Sequence, residues 1–162
     1  MTIRSALHAL ALLVLLSSCA LADSIPITFA SSLLNANPGQ TVTFSATIAN
    51  PLATIVFLNA DNMNIAAPLT VDDTKFVLNT PAFLAPGQSV TAPIFDVKVP
   101  LGTPAGLYSG KFTVLGGSTP SELSNIGSAI FAVAVPVPEP HSLILLLTGT
   151  VVFLLGRRRV SN

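Results

Sequence analysis

Residues 23 to 136 are predicted to form an all-β domain, a small antiparallel β-sandwich, and three observations predict it. Apolar side chains in this stretch recur with a period of two and are largely β-branched or aromatic, which suits strands with one buried face. Turn-forming clusters punctuate them: Asn37-Pro38-Gly39, Asp72-Asp73, Ala85-Pro86-Gly87 and Gly116-Gly117. No segment between them carries the 3.6-residue periodicity of an amphipathic helix.

The elements follow in order. Ile25 to Phe29 forms a first strand, and Pro26, lacking a backbone donor, confines it to a sheet edge. Thr41 to Ile48 places Val42, Phe44, Ala46 and Ile48 on one face and Thr or Ser on the other, until Asn50-Pro51 stops it. Thr54 to Asn59 is a short apolar strand. Ala66 to Val71 and Lys75 to Leu78 are weaker strands, whereas Ser89 to Val99 and Gly106 to Leu115 are strong ones. In the latter, Tyr108, Gly110, Phe112 and Val114 share a face. Ala129 to Val135 is the last strand.

One echo relates two of these strands. Pro38-Gly39-Gln40-Thr41-Val42-Thr43 recurs as Pro86-Gly87-Gln88-Ser89-Val90-Thr91. Two copies are too few for a solenoid. A Pro-Gly turn feeding a strand twice fits the second and fifth strands of a sandwich, which lie side by side. Tyr108, the sole tyrosine, opens the penultimate strand, where immunoglobulin-like sandwiches carry a tyrosine whose hydroxyl bonds back to upstream backbone. The domain thus resembles a disulfide-free, Ig-like or fibronectin-like module. Gly110 stands where antibody domains have their second cysteine, and there is no tryptophan.

Composition excludes several functions. The 162 residues are 51 % hydrophobic and 9 % charged, and the formal net charge is zero. The basic residues are concentrated at the ends, in Arg4, Arg157, Arg158 and Arg159. Between the ends, Lys75, Lys98 and Lys111 face six acidic residues, so no basic footprint for nucleic acid exists. Neither His nor Cys occurs from Asp23 to Pro136, so a Ser-His-Asp triad, a Cys-His dyad and an ordinary zinc site have no parts there. No cofactor motif is present, and no enzymatic activity is expected. Asp72-Asp73 beside Lys75 reads as a solvated turn rather than a catalytic pair. Asn59, Asp61, Asn62 and Asn64 form the best calcium candidate, oxygen ligands on a loop, but their spacing departs from the calcium-loop pattern and no metal site is assigned. Phe83, between Pro81 and Pro86, is the aromatic expected to be exposed; alone it makes no platform for sugar.

The ends carry the addresses. Residues 1 to 22 read as a secretory signal peptide: Arg4, an apolar core from Ala9 to Leu16, and the small-residue site Ala20-Leu21-Ala22, for cleavage by signal peptidase before Asp23. Leu16-Ser17-Ser18-Cys19 also resembles a lipobox, which would lipidate Cys19. At the other end, residues 137 to 162 hold Pro138-Glu139-Pro140, thirteen uncharged, mostly apolar residues from Leu143 to Leu155, and Arg157, Arg158 and Arg159. As a helix that run spans about 20 Å, short of the roughly 30 Å hydrocarbon core, with the arginines setting its orientation.

This tripartite layout resembles the PEP-CTERM sorting signal of exported bacterial proteins. The resemblance implies recognition at Pro138, Glu139 and Pro140 by an exosortase, a membrane-embedded cysteine protease, with transient residence in the inner membrane by a short transmembrane helix. The expected destination is the cell surface or extracellular matrix, in an exopolysaccharide or biofilm setting, with a structural or adhesive role. A module binding carbohydrate or calcium is the alternative, and a surface lipoprotein through Cys19 the third.

Overall fold

A computed structural model describes residues 24–137. The expected signal peptide with Ala20, Ala22 and Cys19, and the expected tail with Pro138, Glu139, Pro140 and the three arginines, lie outside the described residues.

Among the described residues, nine strands build two sheets. One has the order β1 (Ile27–Phe29), β3 (Thr41–Ala49), β7 (Ser89–Lys98), β5 (Thr70–Asp72). The other runs β2 (Leu33–Asn35), β9 (Ser124–Val135), β8 (Gly106–Gly117), β4 (Val56–Ile65), β6 (Phe83–Leu84). Neighbours are antiparallel, except that β2 runs parallel to β9. The N-terminal segment therefore serves both sheets in turn, β1 against β3 and then β2 against β9. These strand orders follow the immunoglobulin arrangement, with β3 and β7 as its second and fifth strands and β8 as the penultimate one.

The core fills the space between the sheets. Phe44, Ala46 and Ile48 of β3, Ile94, Phe95 and Val97 of β7, Phe112 and Val114 of β8, and Phe131, Val133 and Val135 of β9 are buried. Each set alternates along its strand, apart from the break at Ile94 and Phe95. That break is a bulge: the β3–β7 register shifts at Phe44/Ser45, opposite the stretch that contains Pro93. Proline is tolerated inside a central strand at such a bulge because the ladder is already interrupted. Aromatic rings hold the middle together, with Phe44, Phe95 and Phe131 at centroid separations of 4.7 to 5.1 Å.

The echo is structural as well as sequential. Gly39 and Gly87 both have positive φ, 88° and 73°, as turns of this kind demand. In each, the following glutamine closes the turn, Gln40 N–H to Asn37 O and Gln88 N–H to Ala85 O, both 3.0 Å. Each glutamine side chain then folds back to accept from the N–H of Asn37 or Ala85, at 2.8 and 2.9 Å. The two copies launch β3 and β7, which are hydrogen-bonded neighbours.

Several local expectations are corrected. Lys75 to Leu78 is not a strand but part of a short helix, α1 (Thr74–Asn79). The Asp72 carboxylate accepts from the Thr74 N–H and hydroxyl, fixing the first turn, and Thr80 Oγ1 closes the last on Phe76 O at 2.6 Å. Phe76 alone of this helix is buried, so one aromatic anchor replaces the alternating pattern of a strand. The strand expected at Thr54 to Asn59 starts later, at Val56, and runs on to Ile65 as β4, whereas the weak strand expected at Ala66 to Val71 shrinks to β5. Both β2 and β6 are too short to show a period and were not expected.

Candidate functional site

At the end of the sandwich away from Val135, the loops at residues 50–55 and 118–123 flank the incoming chain at Ile25. Between them lies a cleft of about 310 Å³ whose lining includes Ile25, Leu52, Ile55, Ser118, Glu122 and Asn125. That volume is at the lower end for a small-ligand site.

Two asparagines shape this end. Asn50 follows β3 and is only 1 % exposed. Its Nδ2 donates to Thr54 O, Leu84 O and Ala85 O at 2.8, 3.0 and 3.2 Å, and its Oδ1 accepts from Leu52 N–H at 3.0 Å. Its backbone is also tied, accepting from Gly87 N–H and donating to Gln88 O, both at 2.8 Å. Asn59 holds the other loop, its Nδ2 donating to Thr119 O at 2.9 Å and Glu122 O at 2.7 Å. Asn59 is free to do this because it is the extra residue where the β4–β8 register shifts between Leu58 and Ala60.

Glu122 supplies the charge. Its carboxylate accepts from Ser118 N–H at 2.9 Å and from the Ser118 and Ser124 hydroxyls at 3.2 Å. These bonds, the Ser118 amide foremost, hold the carboxyl below the usual glutamate range. The cleft is thus bordered by one fixed negative charge, hydroxyls and apolar side chains. It can take up a polyol or a short peptide segment through hydrogen bonds. No basic side chain accompanies the carboxylate among the lining residues.

Beside this cleft, on the outer face of the same sheet, Phe57 of β4 lies 5.9 Å from Phe83 of β6, ring centre to ring centre. The two are register partners, and Phe57 also pairs with Gly117, the last residue of β8 before the 118–123 loop. Phe83 is exposed as expected, yet it is one of a pair. Sequence reading missed Phe57 because it lies in a wholly apolar run, where no alternation marks the outward position.

The calcium candidates do not converge. Asn59, Asp61, Asn62 and Asn64 belong to a strand rather than a loop. After the bulge at Asn59, Asn62 and Asn64 are exposed, while Asp61, Met63 and Ile65 alternate with them on the core side. Asn64 Oδ1 accepts from Lys111 N–H at 3.1 Å. Among the described residues, no group of three or more His, Cys, Asp or Glu could hold a metal ion. Asp72 likewise serves α1, and Lys75 pairs with Asp96 at 2.6 Å rather than with Asp72-Asp73. Tyr108 takes its expected post, its hydroxyl donating to Pro104 O at 2.9 Å.

No protein-family model matches the chain, and no curated protein does. Among solved structures it is similar to native α2-macroglobulin of Escherichia coli, with a TM-score of 0.46 and 19 % identity over 69 % of this chain and 6 % of that one. A fragment of the same bacterial protein, from domain MG7 to the C-terminus, gives 0.43 and 19 % over 72 % and 18 %. A family 123 glycoside hydrolase from Clostridium perfringens gives 0.35 and 9 % over 71 % and 28 %. The chain spans a small part of these proteins, and likenesses this distant carry no argument about its function.

Proposed function

We propose that this chain is an exported β-sandwich of the cell surface or extracellular matrix, delivered by an exosortase-type system and structural or adhesive in role. The observation that supports it most is the join between domain and tail. β9 ends at Val135, and after Pro136 and Val137 the sequence continues Pro138-Glu139-Pro140, with the apolar run and Arg157 to Arg159 behind it. Proline has no N–H to give to a ladder, so a peptide of this composition does not suit continuation of the strand. The partners in this reading are signal peptidase, exosortase and exopolysaccharide.

Replacing Pro138, Glu139 and Pro140 with alanine should leave export intact and retain the full-length chain in the inner membrane, read by fractionation and intact mass. Surface protein that still carries its peptide through Asn162 would instead show a plain membrane anchor.

A second reading, a carbohydrate-binding module, is favoured by the Phe57–Phe83 pair beside a cleft with hydroxyls and a carboxylate. Aromatic faces stack on the apolar faces of sugar rings. Binding of the full chain to purified exopolysaccharide, lost in Phe57→Ser with Phe83→Ser, would establish it; equal binding by that double variant would dismiss the pair.

A further inference from the structure

From the opposite end of the sandwich we infer a second surface: it is built to rest on lipid. β3 starts, β7 ends, β8 starts and β9 ends there, since Thr41 pairs with Lys98 and Gly106 with Val135. Its loops are residues 36–40, 66–69 and 99–105, and the chain leaves through Pro136 and Val137. Three large apolar side chains stand out at this end: Leu101 is 85 % exposed, Val137 74 % and Leu107 65 %.

Three of the polar side chains there are turned to nearby backbone. Thr103 is buried, its hydroxyl donating to Pro100 O at 2.7 Å, and Gln40 and Tyr108 bond to neighbouring backbone as described. Leu101 sits at the tip of the turn that Thr103 closes, lying over Gly39 but otherwise facing outwards. Nothing in such a turn requires leucine. No acidic residue occurs in any of the three loops or at Pro136 and Val137, Glu139 being the first acidic residue beyond them, and the charge that closes β7 at this end is Lys98. An uncharged apolar tip flanked by a cation suits the headgroup boundary of a bilayer.

The occupant is set by the chain itself. Five residues, 138 to 142, separate Val137 from the apolar run at Leu143. Fully extended they reach about 17 Å, less than the thickness of a typical domain, so with the run in a membrane this end faces the bilayer closely. The inference rests on the membrane residence of the tail in the function proposed above.

The test uses the full chain with its tail, in a Cys19→Ser background, reconstituted into phosphatidylethanolamine–phosphatidylglycerol vesicles. An environment-sensitive fluorophore is placed at Leu101→Cys or, at the far end, at Ser118→Cys. The expected result is blue-shifted emission at position 101, with nitroxide-lipid quenching several-fold stronger than at 118. A third reporter at Gln40→Cys should lose its lipid quenching when Leu101, Leu107 and Val137 are all changed to serine, with circular dichroism showing the fold unchanged. Equal, water-like signals at 101 and 118 in vesicle-bound chain overturn the inference and leave the tail reading intact. Shielding of position 101 from aqueous iodide without lipid quenching puts protein there and overturns it too. A chain that does not float with vesicles defeats both readings.

Discussion

The side-chain amide of Asn50 lies 3.0 Å from the carbonyl oxygen of Leu84, and this bond joins the two sheets. Asn50 directly follows β3 in one sheet; Leu84 belongs to β6 in the other. Antibody domains cross-link their sheets with a disulfide. Here a buried amide with four partners takes that place at one end of the sandwich.

Asn50→Ala should therefore cost about 2–3 kcal/mol, because it strands the buried carbonyl of Leu84 and takes the donor from the part-buried carbonyls of Thr54 and Ala85. Urea denaturation followed by far-UV circular dichroism measures this. A loss below about 0.5 kcal/mol, the range of ordinary surface changes, would mean that the carbonyls find other donors.

Gly110 is the second pressure point. A Cβ at this position would stand 2.5 Å from the Phe131 ring and 2.6 Å from the backbone oxygen of Asn64. Overpacking of a tight core costs about 1–3 kcal/mol, and with backbone on one side Gly110→Ala should fall at the upper end or beyond. Phe131→Leu should relieve part of it. A double-mutant cycle across the two positions is expected to show coupling, and strict additivity would place the strain elsewhere.

Tyr108→Phe removes the bond to Pro104 O but keeps the ring against the core. The expected loss is on the order of 1 kcal/mol, with strand content unchanged. Since the hydroxyl is near the surface, water can replace the bond, and an undetectable change would show that it does.

Asp61 sets a pH dependence. Its Oδ2 is buried without a hydrogen-bond partner, and burial first, then the charge of Asp73, pushes its carboxyl from 3.8 up to about 6. Between those values the folded chain keeps a proton that the unfolded chain has released. The contribution of this group to stability is thus full below pH 3.8 and is lost as pH rises through about 6. Asp61→Asn should raise Tm at pH 7.5 and change it little at pH 4. Because the residue is only half-buried, solvent screening limits the gain to roughly 1 kcal/mol. An equal shift at both pH values would assign the effect to packing.

Much of the fold was legible wherever one face of a strand is buried and the other wet. Phe44, Ala46 and Ile48, or Phe112 and Val114, declare their side by alternation, and Tyr108 and the Pro-Gly-Gln echo fix which strands these are. Legibility fails where something other than alternation sets the geometry. The bulge at Asn59 swaps the faces of β4, turning Asp61 inward and dispersing an apparent ligand cluster. Phe76 anchors a short helix that looks like a strand from its apolar residues alone. Asn50 reads as a strand stop, and its inter-sheet bonds reach residues more than thirty positions away, which no local pattern encodes. The candidate site suffered most, since the cleft is made by two loops and the chain entry, distant in sequence.

The parallel pairing of β2 with β9 has a mechanical consequence. The described chain enters near Ile126, where Ile25 N–H bonds to Ile126 O at 2.7 Å, and leaves at the other end past Val135. Tension between the two ends draws β9 lengthwise past β2, whose three register pairs, Leu33–Ala132, Leu34–Val133 and Asn35–Ala134, then bear the load together. Strands pulled along their axis yield as a block, whereas a hairpin pulled from its open end parts one bond at a time. Tension between these two ends is thereby borne in shear, the direction in which a sheet resists most.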